Sequence, residues 1–383
     1  MKGVKLLAAL SLMMLINACK EKGEVPLPTI DVNAKTPVKE LVLQDFLDVE
    51  YVPLGTTDAF VTQGMVMAID DKYIVAKNYG NDGDIFIFDR KTGKALRKIN
   101  RLGQGSGEYT SIGNIILDEA NGEMFVNDVV AKKVLVYDLL GNFKRSFHHP
   151  GDTELSYMFN YDKDNLICYD TSQYFKAGEQ RGKRSYHLII SKKDGHIVRG
   201  IFLPFDIIKA PLVRKGDEIS VTSLPPITPY HDNWLLVDAS SDTVYEYMSK
   251  ENRLKPFLVK TPSKDPEILL TMGTLTKRYY FMRTIYKFYD FTRRRGFPIA
   301  QLLYDKQKNA TFDFRVINGD YVKKQSVDML SNPMNAEIAA FQVLPADKLV
   351  EAYKKGELKG KLKALAAGLS EDANPVLLLM KYK

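Results

Sequence analysis

A four-strand unit that recurs, a chain end that itself reads as a strand, and a large aromatic content together predict an all-β protein. The expected architecture is a ring of four-stranded antiparallel blades, a β-propeller. The clearest copy of the unit spans residues 103–147. Gly103, Gly105 and Gly107 lead in, Ile115-Ile116-Leu117 is an apolar run, and Asn121-Gly122 is a hairpin signal, because both residues tolerate positive φ. Met124-Phe125-Val126 returns, Asn127-Asp128 turns the chain, Val134–Tyr137 makes a third strand, and Phe143–Phe147 alternates with period two as a fourth. The 19 Phe and 21 Tyr of the 383 residues supply the core, and no low-complexity tract interrupts it. The glycine-rich lead-in, GQGSG, is not a dinucleotide fingerprint: it lacks the GxGxxG spacing, and no helix follows to hold a pyrophosphate.

Residues 41–100 carry the same order of strand, acidic turn, strand, aromatic strand, glycine turn and strand. The strands are Val49–Leu54, Val66–Ile69, Tyr73–Ala76, Ile85–Phe88 and Ala95–Ile99, all read as the first blade. A looser third copy runs through Tyr157–Tyr161, Leu166–Tyr169, Tyr186–Ile190 and Ile197–Phe202. The polar, basic insert Thr171–Arg184 interrupts it as a long loop. A fourth blade is read over 205–259 from Glu218–Ser223, Trp234–Val237, Val244–Met248 and Pro256–Val259, and a fifth over 275–314. Val316–Val322 extends it, and then the pattern changes. Ala346–Lys354 and Leu358–Leu369 have helical spacing, with Leu358, Leu362, Leu365 and Leu369 on one face and Gly356 between the segments. Val376–Tyr382 is an apolar terminal strand. It is expected beside a strand from 27–32 or 41–54, since pairing the two chain ends leaves no open edge.

On these motifs a resemblance becomes specific. Residues 101–147 resemble one blade of an NHL-type propeller. With LPTIDV (27–32), DVEYVPLGTTD (48–58) and NPVLLLMKYK (374–383), the chain resembles the six-bladed β-propeller lipoproteins of gut-type Gram-negative bacteria. The resemblance implies a six-bladed propeller over 39–383, with short helices near the C-terminus, and an outer-membrane address.

The beginning of the chain agrees with that address. Lys2 and Lys5, the apolar stretch Leu6–Ile16 and then Ile16-Asn17-Ala18-Cys19 read as a lipoprotein signal peptide over 1–18. The last four residues resemble a lipobox, which makes Cys19 the lipidated residue and the membrane a partner. Residues 19–38, with Pro26, Pro28 and Pro37, read as a flexible tether. Lys20, Glu21, Lys22 and Glu24 resemble signals for surface exposure; a periplasm-facing position is the alternative. Once Cys19 is lipidated, Cys168 has no cysteine partner, so the fold does not depend on disulfides. The formal net charge of +7 is dispersed and implies no nucleic-acid partner.

Motifs for catalysis are missing. His148, His149, His187, His196 and His231 lack Cys, His or Glu partners at ligand spacing and read as surface or loop residues. There is no nucleophile elbow, and the acidic pairs sit where turns need them. No metal or cofactor is expected. One stretch stands apart: Lys277–Arg295 holds seven basic and seven aromatic residues. Aromatic faces stack on sugar rings, and cations pair with carboxylates or phosphates. Lys277, Arg278, Arg283, Lys287, Arg293, Arg294 and Arg295 are therefore candidates for anion or glycan binding. The expected function is that of a cell-envelope binding or scaffold module for a glycan, peptide or protein partner. The alternative is a propeller enzyme, a hydrolase, lyase or oxidoreductase, acting at the channel mouth.

Overall fold

The turn that joins the last two strands of a blade is where local chemistry sets the repeat in the first five blades of the ring. Asp89 and Asp138 end their strands, and their carboxylates accept hydrogen bonds from the N–H groups of Thr92 and Asn142, both at 2.8 Å. The chain then reverses through a left-handed residue: Gly93 (φ 70°), Gly141 (84°), Gly195 (75°), Asn252 (50°) and Asn309 (47°). Glycine has a second reason to be there. A Cβ on Gly93 would fall 1.9 Å from the Pro53 carbonyl oxygen, and one on Gly195 would fall 2.3 Å from the Phe147 ring. Each of the three glycine turns packs against the outer strand of the preceding blade, so one residue serves both the turn and the contact between blades.

The computed structural model describes residues 27–331, 335 and 337–383. It is a six-bladed β-propeller with two helices near the C-terminus. Blade one is Met65–Ile69, Tyr73–Lys77, Asp84–Asp89 and Ala95–Asn100; blade two is Asn114–Asp118, Glu123–Asp128, Lys133–Asp138 and Phe143–His148. Blade three is Leu155–Asn160, Asn165–Asp170, His187–Ser191 and Ile197–Ile201, and blade four Ile227–Tyr230, Asn233–Leu236, Thr243–Met248 and Arg253–Lys260. Blade five is Ile268–Leu275, Tyr279–Tyr286, Ile299–Asp305 and Ala310–Ile317. Blade six joins Ile338–Leu344 and Val376–Tyr382 to Leu47–Pro53 from the other end of the chain. A hydrophobic cluster fills each junction between neighbouring blades, including the junction of six with one, where Leu377 and Leu379 pack with Phe86 and Phe88.

Closure follows the expected logic. Leu377 lies opposite Val52 and Leu379 opposite Glu50 in an antiparallel ladder. Among the described residues, blade six has three ladder strands. The segment 327–331 runs alongside it from blade five. There Met329 accepts a hydrogen bond from Thr274 N–H of blade five at 2.9 Å, and Ser331 Oγ accepts one from Phe341 N–H at 3.2 Å. Helices α1 (Ala346–Lys354) and α2 (Gly360–Ala366) interrupt this blade, and Leu349, Leu358 and Leu362 bury against the core between blades five and six.

Several expectations need correction. Val49–Leu54 is not a strand of blade one but the outer strand of blade six. Glu218–Val221 pairs with Leu212–Lys215 in a separate hairpin, and the inner strand of blade four is Ile227–Tyr230. Alternation identifies a strand without identifying its partner. At Asn121-Gly122 only Gly122 is left-handed (φ 65°) in a four-residue turn, while Asn127 and Asp128 still belong to the second strand. The tether expected over 19–38 is already fixed to the ring where it is described. Thr29–Ile30 adds in parallel to the outer strand of blade four, with Ile30 fully buried, and Val38–Val42 adds to blade five. Both additions cover edges that would otherwise offer unpaired N–H and C=O groups. Residues 1–26, including the signal-like segment and Cys19, lie outside the described residues.

Candidate functional site

The turns between first and second strands all open on one face of the ring, at the mouth of its central channel. There a cavity of about 360 Å³ lies between the inner strands of blades one to four. Apolar side chains of those strands, Ile69, Ile115, Leu117 and Met158 among them, form its walls. Its most distinctive surface comes from blades three and four. Tyr161 stacks on Trp234, with ring centroids 6.1 Å apart and planes 29° apart, and Phe159 meets the same indole at 5.8 Å. Trp234 is the only tryptophan of the chain and is buried in this wall.

The polar groups lining the cavity divide into two sets. Asn114 and Asn233 hold the fold. Asn114 Oδ1 accepts from Met158 N–H at 3.2 Å, and Asn233 donates to Glu246 at 2.7 Å while accepting from Ser249 N–H at 3.2 Å. Asn160, His231 and Trp234 line the cavity and make no side-chain hydrogen bond to any described residue, whereas the Tyr161 hydroxyl is within hydrogen-bonding reach of Ser249 and Tyr247. Asp70 stands with them, its carboxylate accepting only from Asp71 N–H at 3.1 Å. Burial and then the neighbouring charge of Glu119 push Asp70 up to about 6. Burial likewise raises the Tyr161 phenol to about 12, so it is a neutral hydroxyl at physiological pH. This set can donate to and accept from a hydroxyl-rich ligand beside an aromatic wall.

The histidines depart from expectation. His148 and His196 are exposed and His231 lines the channel mouth, but His149 and His187 are buried. His149 Nδ1 accepts from Leu155 N–H at 3.1 Å, which leaves Nε2–H to donate to Asn127 Oδ1 at 2.9 Å. His187 packs edge-on against Tyr169 at 4.8 Å, with Nε2 3.2 Å from the Pro226 carbonyl. Burial lowers both to about 4, so both are neutral structural groups. Nothing in their spacing marked them as core residues. Among the described residues, no three His, Cys, Asp or Glu side chains gather where they could hold a metal ion.

The structure also disperses the seven basic candidates. Tyr279–Tyr286 is the second strand of blade five and carries the chain from one face of the ring to the other, an eight-residue span of about 26 Å. Lys277 and Arg278 lie before it on the channel-mouth face. Arg283 is half-buried mid-strand, and its Nε is buried without a partner. Lys287 donates to Glu267 at 2.9 Å, a carboxylate shared with Lys209 at 2.7 Å. Arg293, Arg294 and Arg295 are exposed at the tip of a small hairpin closed by Tyr289–Asp290 and Arg295–Gly296. The stretch therefore does not make one cationic face. The site that does form was hidden because Asp70, Tyr161 and Trp234 come from three different blades. The available signal was a lone tryptophan two residues after the His231-Asp232 turn.

Ring and cavity together define a six-bladed propeller with an aromatic-walled channel mouth. More particularly, the chain belongs to the family described as "Domain of unknown function (DUF4934)", whose model matches residues 27–381. Among solved structures, it is similar to a Bacteroides fragilis protein described as exported. The identity is 15%, the match covers 93% of this chain and 99% of that one, and the TM-score is 0.63. A member of the DUF4221 family from Bacteroides vulgatus matches 89% of this chain and 99% of its own at 10% identity and a TM-score of 0.46. No curated protein matches the chain.

Proposed function

We propose that the protein is an exported binding module of the cell envelope that holds a carbohydrate at its channel mouth. The observation that carries this reading is the combination in one cavity of Phe159, Tyr161 and Trp234 with unbonded polar side chains, Asn160 and His231, and the nearly free carboxylate of Asp70. A sugar ring offers an apolar C–H face to an aromatic wall and hydroxyls to amides and carboxylates, which is the division of chemistry found here. The volume lies within the ~300–1,000 Å³ range of small-molecule pockets. Export is supported by the fold-level likeness to a protein described as exported and by the signal-like segment ending at Cys19, whose acylation would anchor the protein in the outer membrane. Binding is favoured over turnover because the acid beside Asp70, Glu119, is held by the backbone N–H groups of Lys72 and Tyr73 at 3.0 and 3.1 Å, and Asp232, also at the mouth, is ion-paired with Lys250 at 3.1 Å.

Calorimetric titration of neutral and acidic oligosaccharides tests the reading. Wild type should bind at least one class, and Tyr161→Ala should bind it roughly tenfold more weakly through loss of the stacked wall. If no oligosaccharide binds, or if Tyr161→Ala binds as well as wild type, the carbohydrate reading is wrong.

A further inference from the structure

The channel mouth is not a closed cup. His231 and Tyr382 line it on one side, and the same two residues line a second cavity of about 520 Å³ on the same face, between blades five and six. The floor of this second cavity is apolar and aromatic, from Phe46, Leu47 and Tyr279. The turn Thr276–Arg278 also lines it, which brings Lys277 and Arg278, two of the basic residues singled out in the sequence, to the same cavity as His231 and Tyr382.

The charge around the two cavities is of opposite sign. At the channel end stand Asp70 and Asp232, whereas at the far end cations are in excess. Asp305 is fully buried and is bonded by both Arg278, at 3.0 and 3.1 Å, and Lys39. Two cations thus share one carboxylate. Burial alone would raise Asp305, but these two partners outweigh it and hold the group well below the usual carboxylate range. The ring of Tyr279 lies between them, 4.9 Å from Lys39 Nζ and 5.0 Å from the Arg278 guanidinium carbon. Lys277 is exposed and bonds to no described residue. Asp45 is the carboxylate that lines this cavity, and the Lys383 amine turns back onto the Gln44 carbonyl at 2.6 Å. Counting side chains, Lys39, Lys277, Arg278 and Lys383 stand against Asp45 and Asp305, a surplus of two positive charges, one of which Lys277 presents to solvent.

We infer that the two cavities form one continuous cleft, and that its ligand is an acidic oligosaccharide. The apolar face of one ring would lie against Tyr161 and Trp234, and the carboxylate or sulfate of a residue further along the chain would reach Lys277 and Arg278. This inference rests on the reading of the channel mouth as a carbohydrate site and extends it in length and charge. His231, in the wall common to both cavities, is the point the chain must pass. A single sugar would fill one cavity and leave the other to water. A chain of several residues uses both, and only an acidic one uses the cationic end.

The test uses uronate oligomers of two to six residues, with their methyl esters as uncharged counterparts, titrated into wild type, Lys277→Glu, Lys277→Arg and Tyr161→Ala. Affinity should rise with chain length, and the acids should bind about tenfold more tightly than their esters at low salt, the value of one charge-assisted contact. That preference should shrink as salt rises. Lys277→Glu should bring the acids down to the affinity of the esters, and Lys277→Arg should restore the preference. The cleft is overturned if acids and esters bind alike, if dimers bind as tightly as hexamers, or if Lys277→Glu keeps the acid preference. In those cases, loss of binding in Tyr161→Ala would still uphold the channel-mouth site. Absence of binding to every oligomer would sink the underlying carbohydrate reading as well.

Discussion

Tyr161 stacks on Trp234 across the junction of blades three and four, 73 residues apart in sequence, with ring planes 29° from parallel. Tyr161 begins the turn after the inner strand of blade three, and Trp234 lies in the second strand of blade four. The contact exists only because the ring places consecutive blades side by side. Ring integrity and the candidate site are therefore coupled, and the predictions test both.

The closing ladder should matter to the whole molecule. Leu377 and Val52 face each other, both buried, and seal blade six. Leu377→Ala should cost about 2–5 kcal/mol in global unfolding, measured by urea titration. Deleting Val376–Lys383 should abolish cooperative unfolding, because it bares a strand edge inside the ring. A truncated protein that keeps the full melting temperature would refute closure by the two chain ends.

Lys192 donates to Asp118 at 2.6 Å, with both side chains nearly inaccessible, and links blades two and three. Lys192→Ala strands a buried carboxylate and should cost about 3–5 kcal/mol. The double change Lys192→Met, Asp118→Leu removes both charges and should recover most of that loss. Equal destabilisation by the single and double changes would show that the pair acts through packing alone.

Two glycines should respond differently to alanine. Gly93→Ala must move the Pro53 carbonyl from beneath its new methyl group, whereas Gly122, also left-handed, has open space around it. Gly122→Ala should cost about 1 kcal/mol, the penalty of left-handed backbone, and Gly93→Ala distinctly more. Similar melting temperatures for the two variants would contradict the tight approach between blades six and one.

Acid should weaken the fold through the buried histidines. Each has a folded pKa of about 4 against an ordinary value of 6.5, so the unfolded chain binds the proton first. Their contribution is complete above pH 6.5 and is lost as pH falls towards 4, on the order of 3 kcal/mol per histidine. Asp70, raised to about 6, acts with the opposite sign: protonation between pH 6 and 4 relieves its buried charge and offsets a smaller part. His149→Gln should be less stable at pH 7.5 but flatter between pH 6.5 and 4. An unchanged slope would mean that His149 is not held neutral.

The fold was legible where one residue served two purposes. Asp89…Gly93 and Asp138…Gly141 mark the turns of blades one and two, and their glycines are required both by φ and by the neighbouring blade. In blades four and five, Asn252 and Asn309 take the left-handed position, and the signal fades. Strand Leu47–Pro53 was visible, but its blade was not, since its partner Val376–Tyr382 lies at the other end of the chain. The basic, aromatic stretch was conspicuous by composition, yet a strand that crosses the ring separates Lys277 from Arg293. The cavity was least legible, because its aromatic and polar groups converge only after three blades close around the channel.

Trp234 makes the central claim directly measurable, because a single indole reports on the channel-mouth wall. Titrating the uronate hexamer while following tryptophan emission should give a saturable change, with the same midpoint as calorimetry, that is lost in Tyr161→Ala. Calorimetric binding with no change in emission would place the ligand away from Tyr161 and Trp234 and contradict the account.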